Sequence, residues 1–118
     1  MATCGMTMPP ISEADFLRQV TDLADLYGWR WVHFRPAQTL RGWRTPVSGP
    51  LGKGWPDLVL VKPERGVIFA ELKGDKGRPT PEQAEVLRWL HLTGVGTCVS
   101  AYVWRPRDFD EVVRVLSK

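Results

Sequence analysis

Apolar residues first recur at helical spacing in Phe16, Val20, Leu23 and Tyr27, which predicts a helix with one core-facing stripe. Ser12 precedes the stripe as an N-cap, Ile11 and Phe16 stand at staple positions, and Gly28 supplies the stop. The period then shortens. Trp29 to Phe34 is rich in aromatic and β-branched residues and predicts a strand, with Trp31, His33 and Arg35 on one face and Arg30, Val32 and Phe34 on the other. Leu58–Val61 and Val67–Leu72 are short apolar runs separated by Pro63-Glu64-Arg65-Gly66, which predicts a hairpin. Gly66 suits the left-handed position after a type I turn, with a bulge expected there. Thr80-Pro81-Glu82-Gln83 is a helix start with cap, first-position proline and capping-box glutamine, and Gly94 or Gly96 ends that helix. Gln83, Leu87 and Leu90 share its inner face. Val99–Trp104 reads as a further strand. Asp108-Phe-Asp-Glu111 is a second capping-box pattern, opening a helix through Leu116. The order helix, strand, long loop, strand, strand, helix, strand, helix predicts an α/β fold: a small mixed sheet with helices packed on it.

Charge breaks this pattern at one place. Asp57 opens the first strand of the hairpin, and Glu71 and Lys73 close the second. Antiparallel pairing brings those ends together, and residues two apart share a face. Charges on otherwise buried strands must be paired or bound to a metal. One reading is a cross-strand ion pair, Asp57–Lys73 or Glu71–Lys73. The other is a hard-cation site. Asp57 and Glu71 supply oxygens to Mg²⁺, the Leu72 carbonyl adds another, waters complete the octahedron, and Lys73 stands beside the metal-bound water.

Residues 36–56 form a long loop rich in Gly and Pro. It carries Arg41, Arg44 and Lys53, no acidic residue, and interleaved Trp43 and Trp55. Loops of this length are usually functional or mobile. Basic and aromatic side chains together suit a phosphate backbone with exposed bases, while a solvated loop pinned by Trp43 is the plainer alternative. Lys76 and Arg78, in the turn after the hairpin, are further candidate phosphate contacts or plain surface. His33 and His91 read as structural residues. Glu13 reads locally as a first-turn acid favoured by the helix dipole, and Gln83 as a cap of its own helix.

The chain has 118 residues, which fits one domain over 11–118 after a Met/Thr/Pro-rich tail at 1–10 expected to be poorly ordered. No apolar run approaches a membrane span and no signal peptide is visible, so a cytoplasmic protein without a membrane partner is expected, in a bacterium or in the host of a phage. Cys4 and Cys98 match no metal or redox spacing. The net charge of +3 permits a polyanionic partner without establishing one.

Glu13, Pro56-Asp57, Glu71-Leu72-Lys73 and Gln83, taken together, resemble the PD-(D/E)XK nuclease superfamily. Gly54-Trp-Pro-Asp-Leu, Glu71-Leu-Lys and Gly77-Arg-Pro-Thr-Pro-Glu-Gln83 are similar to its compact VRR-NUC branch, which includes stand-alone phage-type proteins and is similar to Holliday junction resolvases. The resemblance covers about residues 11–117. It implies a restriction-endonuclease-like αβββαβ core and a Mg²⁺- or Mn²⁺-dependent DNA endonuclease, structure-selective on branched DNA and homodimeric. It implies Asp57 and Glu71 as metal ligands and Lys73 as the residue that positions or deprotonates water. Glu13 then assists through the metal or its water shell, and Gln83 orients Lys73, the water or the phosphate. Arg35, Arg41, Arg44, Lys53, Lys76 and Arg78 are the candidate DNA contacts. The alternatives are a nicking, flap or repair nuclease, a nucleic-acid-binding module without catalysis, and a structural protein with an ion-pair cluster.

Overall fold

The computed structural model describes residues 10–34 and 47–118, together with the backbone of 37–39 and 42–44. Helix α1 (Glu13–Leu26) leads into strand β1 (Arg30–His33), the two-stranded ribbon β2 (Ala37–Thr39) and β3 (Gly42–Arg44), and the hairpin β4 (Leu58–Lys62) and β5 (Gly66–Leu72). Helix α2 (Pro81–Gly94), strand β6 (Val99–Trp104) and helix α3 (Phe109–Ser117) follow. The main sheet has the order β1-β4-β5-β6, antiparallel at the first two pairings and parallel between β5 and β6. A parallel neighbour requires a crossover, and α2 supplies it. The fold is therefore α/β, as the alternation of periods predicts.

The expected caps form. Ser12 Oγ accepts from Asp15 N at 3.1 Å, and Thr80 Oγ1 accepts from Gln83 N at 3.1 Å. One face of the sheet holds the core. Leu58, Leu60, Ile68, Ala70, Leu72 and Trp104 pack under Phe16, Val20 and Ala24 of α1 and Val112 and Leu116 of α3. Each of these large aliphatic or aromatic side chains stabilises the fold by roughly 1.5–3 kcal/mol through removal from water. Two polar ties fix the helices to the sheet. Lys62 Nζ donates to Tyr27 O at 2.6 Å at the C-terminal end of α1, and Trp29 Nε1 donates to Leu116 O at 3.0 Å near the end of α3.

Three sequence expectations change. Residues 36–56 are not loop throughout, because the β2–β3 ribbon and a 3₁₀ turn at Gly52–Gly54 lie inside them. The ribbon strands are only three residues long, too short for a period to show. At the hairpin, Glu64 takes the left-handed conformation (φ 69°), at the third position of the turn closed by Arg65 N donating to Lys62 O at 3.0 Å. Gly66 also has positive φ (120°), and it pairs with Lys62. Its further constraint is contact: a Cβ there would stand 1.9 Å from Cys98 O, the carbonyl to which Val67 N donates at 3.0 Å. The capping box expected with Asp108 as N-cap of α3 does not form. The Asp108 Oδ2 turns back to accept from Arg105 N at 2.9 Å, closing the 3₁₀ turn Pro106–Asp108 instead. The shorter reach to a turn already in place wins over the helix start.

Gly66→Ala should accordingly cost at least about 2 kcal/mol, through positive φ and the clash with Cys98 O. Gly74→Ala, where nothing lies within 4 Å, should stay within about 0.5 kcal/mol of the parent. Chemical denaturation of the two variants checks this; equal losses would mean that β6 shifts freely away from Gly66.

Candidate active site

The hairpin register decides what meets at its open end. Leu58 pairs with Ala70, so one step further Asp57 faces Glu71. The edge strand continues the same way: His33 pairs with Leu58, and Phe34 N donates to Asp57 O at 2.7 Å. Behind Asp57, Gly54 is buried against the first turn of α2, where a Cβ would stand 2.2 Å from Glu82 O. That close approach seats the segment Gly54-Trp-Pro-Asp57 between the sheet and α2.

Asp57, Glu71, Leu72 and Lys73 form one cluster. Asp57 Oδ2 accepts from Leu72 N at 2.9 Å, which orients the carboxylate. Lys73 N donates to Trp104 O at 3.0 Å, so β6 anchors the backbone of the lysine. Lys73 Nζ lies 3.4 Å from Glu71 Oε2. Glu71 is only 1% exposed, and its Oε1 has no hydrogen-bond partner among the described residues. Two acids share one lysine here, so with both carboxylates ionised the cluster carries an excess negative charge in a dry place.

Protonation reflects that imbalance. Burial, then the charge of Asp57, push Glu71 up to about 7, and Lys73 opposes both only partly. Burial also raises Asp57, against the pull of the Leu72 N–H, Lys73 and His33. Burial, the neighbouring acid and the lack of a donor to Oε1 among the described residues together keep the Glu71 carboxyl from ionising.

Glu13, His33, Asp57 and Leu72 line one cleft of about 460 Å³, together with Ala14, Leu17 and Phe34. Glu13 is thus brought to the cluster's α1 side, exposed to water. His33 belongs there too, although the sequence reads as a structural histidine. The signal that could have found it is register: a strand antiparallel to β4 places His33 next to Asp57 once Leu58 is its partner. Gln83 is placed otherwise. Its Oε1 accepts from Thr80 N at 2.9 Å, completing the capping box, and among the described residues its side chain has no bond to the carboxylate cluster.

The basic candidates are scattered. Lys53 is exposed and lies 3.5 Å from Glu82. Lys76 and Arg78 are exposed on the turn after β5, which Arg105 ties down by donating to Gly77 O at 2.9 Å. Arg35 and Arg41 lie outside the described residues, as does the side chain of Arg44 on β3. Cys4 and the tail at 1–9 lie outside them too. Among the described residues no three His, Cys, Asp or Glu side chains form a metal-binding group, and no helix is long and apolar enough to cross a membrane. No protein-family model, curated protein or solved structure matches the chain.

The protonation of Glu71 makes stability depend on pH. Its folded value lies above the ordinary 4.5, so the folded state holds the proton longer than the unfolded chain. Stability is then greatest below about pH 4.5 and falls as pH rises through about 7, by about 3 kcal/mol if Glu71 acts alone. In the metal-free protein the melting temperature should drop between pH 5.5 and 8, and Glu71→Gln should remove most of that drop. A Glu71→Gln variant that melts lower than the parent at pH 8 would show instead that the ionised carboxylate holds the fold together.

Proposed function

We propose that the protein is a divalent-metal-dependent DNA endonuclease, structure-selective on branched DNA such as a four-way junction. The observation that carries this reading is the meeting of Asp57, Glu71 and Lys73 at one end of the hairpin, with a buried Glu71 oxygen left without a donor among the described residues. A structural ion pair would also place Lys73 beside Glu71. It would not need a second acid against the first.

The donor set fits Mg²⁺ or Mn²⁺. Mg²⁺ is commonly held by one or two carboxylates, with water and phosphate oxygens completing the octahedron, so a third acid is not required. Bound there, the cation would neutralise charge on the scissile phosphate and lower the pKa of the attacking water. The chain's own residues do the rest. The Leu72 N–H holds Asp57 in one orientation. Lys73 places positive charge beside Glu71, where it stabilises charge gathering on the non-bridging phosphate oxygens and orients the water. Glu13 and His33 border the cleft from α1 and β1. The oxygen of water bonds to phosphorus, the bond to the 3′-oxygen breaks, and that oxygen takes up a proton, leaving a 5′-phosphate and a 3′-hydroxyl. A homodimer would offer two such clefts to the two strands of a junction.

A panel of labelled junctions, flaps and plain duplexes, with Mg²⁺, Mn²⁺ and chelator, tests the reading. Cleavage should require the metal and give paired cuts near a junction centre. Glu71→Ala and Lys73→Ala should each lower the rate at least about a hundredfold with DNA binding retained. Cuts confined to flaps would make the protein a flap or nicking nuclease. Binding without cleavage under every metal would leave a recognition module. Cleavage unchanged in both variants would place the chemistry elsewhere.

A further inference from the structure

A second concavity of about 350 Å³ adjoins the carboxylate cleft. Phe34, Val47, Ser48, Leu51, Gly52 and Trp55 line it, and Phe34 belongs to the walls of both. The walls are aromatic and aliphatic. Trp55 stands edge-on to Phe34 (ring centres 6.4 Å apart, planes at 87°) and to Phe69 (5.5 Å, 81°), so its orientation is fixed from two sides. Leu51 is 40% exposed at the rim, and Phe34 and Trp55 are only half-buried. Packed aromatic edges left open to water beside a charged cleft are a surface in want of an apolar partner.

Three observations say what that partner is. First, Trp55 is two residues from Asp57, a span of at most about 7 Å along the chain, comparable with the separation of neighbouring nucleotides on an extended strand. Second, residues 47–55, which carry most of the lining, hold one cation, Lys53, and no acid, so the pocket's own segment does not repel a polyanion. Third, the pocket is apolar with one hydroxyl, Ser48, at its margin. A flat ring carrying a few polar edges fits such a site, and a phosphate does not.

We infer that this pocket receives one unstacked nucleobase of the substrate strand, next to the phosphate that a cation bound by Asp57 and Glu71 would hold. The inference rests on the endonuclease reading and deepens it. A base can enter only where it has left its stack, and unstacking is cheapest at a junction, flap or mismatch. The pocket then converts local strand distortion into a choice of cleavage point, without reading sequence.

The test measures binding rather than turnover. A labelled hexathymidylate and the same oligomer with its bases replaced by abasic sites are titrated in chelator, against the parent protein and Ser48→Phe, which fills the pocket. The parent should bind the intact oligomer about tenfold or more tighter than the abasic one, the effect expected for base–aromatic contact. Ser48→Phe should lose that preference and keep the affinity for the abasic strand. The melting-temperature rise given by Mn²⁺ alone is read on both proteins and reports the carboxylate site separately. Equal affinities for the two oligomers with the Mn²⁺ effect intact would overturn the base pocket and leave the endonuclease reading standing. Loss of the Mn²⁺ effect in the parent would overturn that reading itself. A lower melting temperature in Ser48→Phe, with both affinities unchanged, would show that the chain's own segment fills the pocket and would also overturn the inference.

Discussion

Two carboxyl groups and one ammonium group meet at the open end of a hairpin, and their charges do not cancel. Asp57 and Glu71 are pressed together by a register that the core enforces. Leu58, Leu60, Ile68 and Ala70 must face α1 and α3, and a slip of one residue would turn all of them to the other face of the sheet. The acids cannot separate without that slip. The fold therefore holds two acids against one lysine at one buried point, where burial and the charge of Asp57 raise Glu71 and one of its oxygens has no donor among the described residues. Stability alone gives no reason for such a placement, because two aliphatic residues there would pack at lower cost.

The rest of the molecule serves this point. β6 pairs in parallel with β5 and takes the Lys73 N–H, so the lysine backbone is held where the sheet ends. α2, which makes the crossover, also carries the surface on which Gly54 sits, and so fixes the approach of the chain to Asp57. α1 closes the cleft from the other side and brings Glu13 to it. α1 and α2 thus each combine a packing role with a role at the site.

Much of this was legible in the residues. The hairpin could be read from two apolar runs and a turn cluster, and its length alone brought Asp57 near Glu71. Ser12 and Thr80 announced their helices because an N-cap is a local event, decided within four residues. What failed to show depended on contacts distant in sequence or on alternatives of nearly equal energy. The β2–β3 ribbon is too short to carry a period. Asp108 bonds backward, to Arg105 N, rather than forward into its helix. The positive φ at Glu64 follows from where the turn closes, which composition does not reveal. His33 became part of the site only through its pairing with Leu58, and Gln83 remained at its own helix start, where its Oε1 accepts from the Thr80 N–H.

The central claim is that a cation belongs between Asp57 and Glu71, and anomalous scattering from crystals soaked in Mn²⁺ addresses it most directly. The account predicts a single strong peak within about 2.5 Å of oxygens from both carboxylates, with Lys73 displaced to its side. A site that stays empty at saturating Mn²⁺, with Lys73 Nζ lying between the two acids, would contradict it.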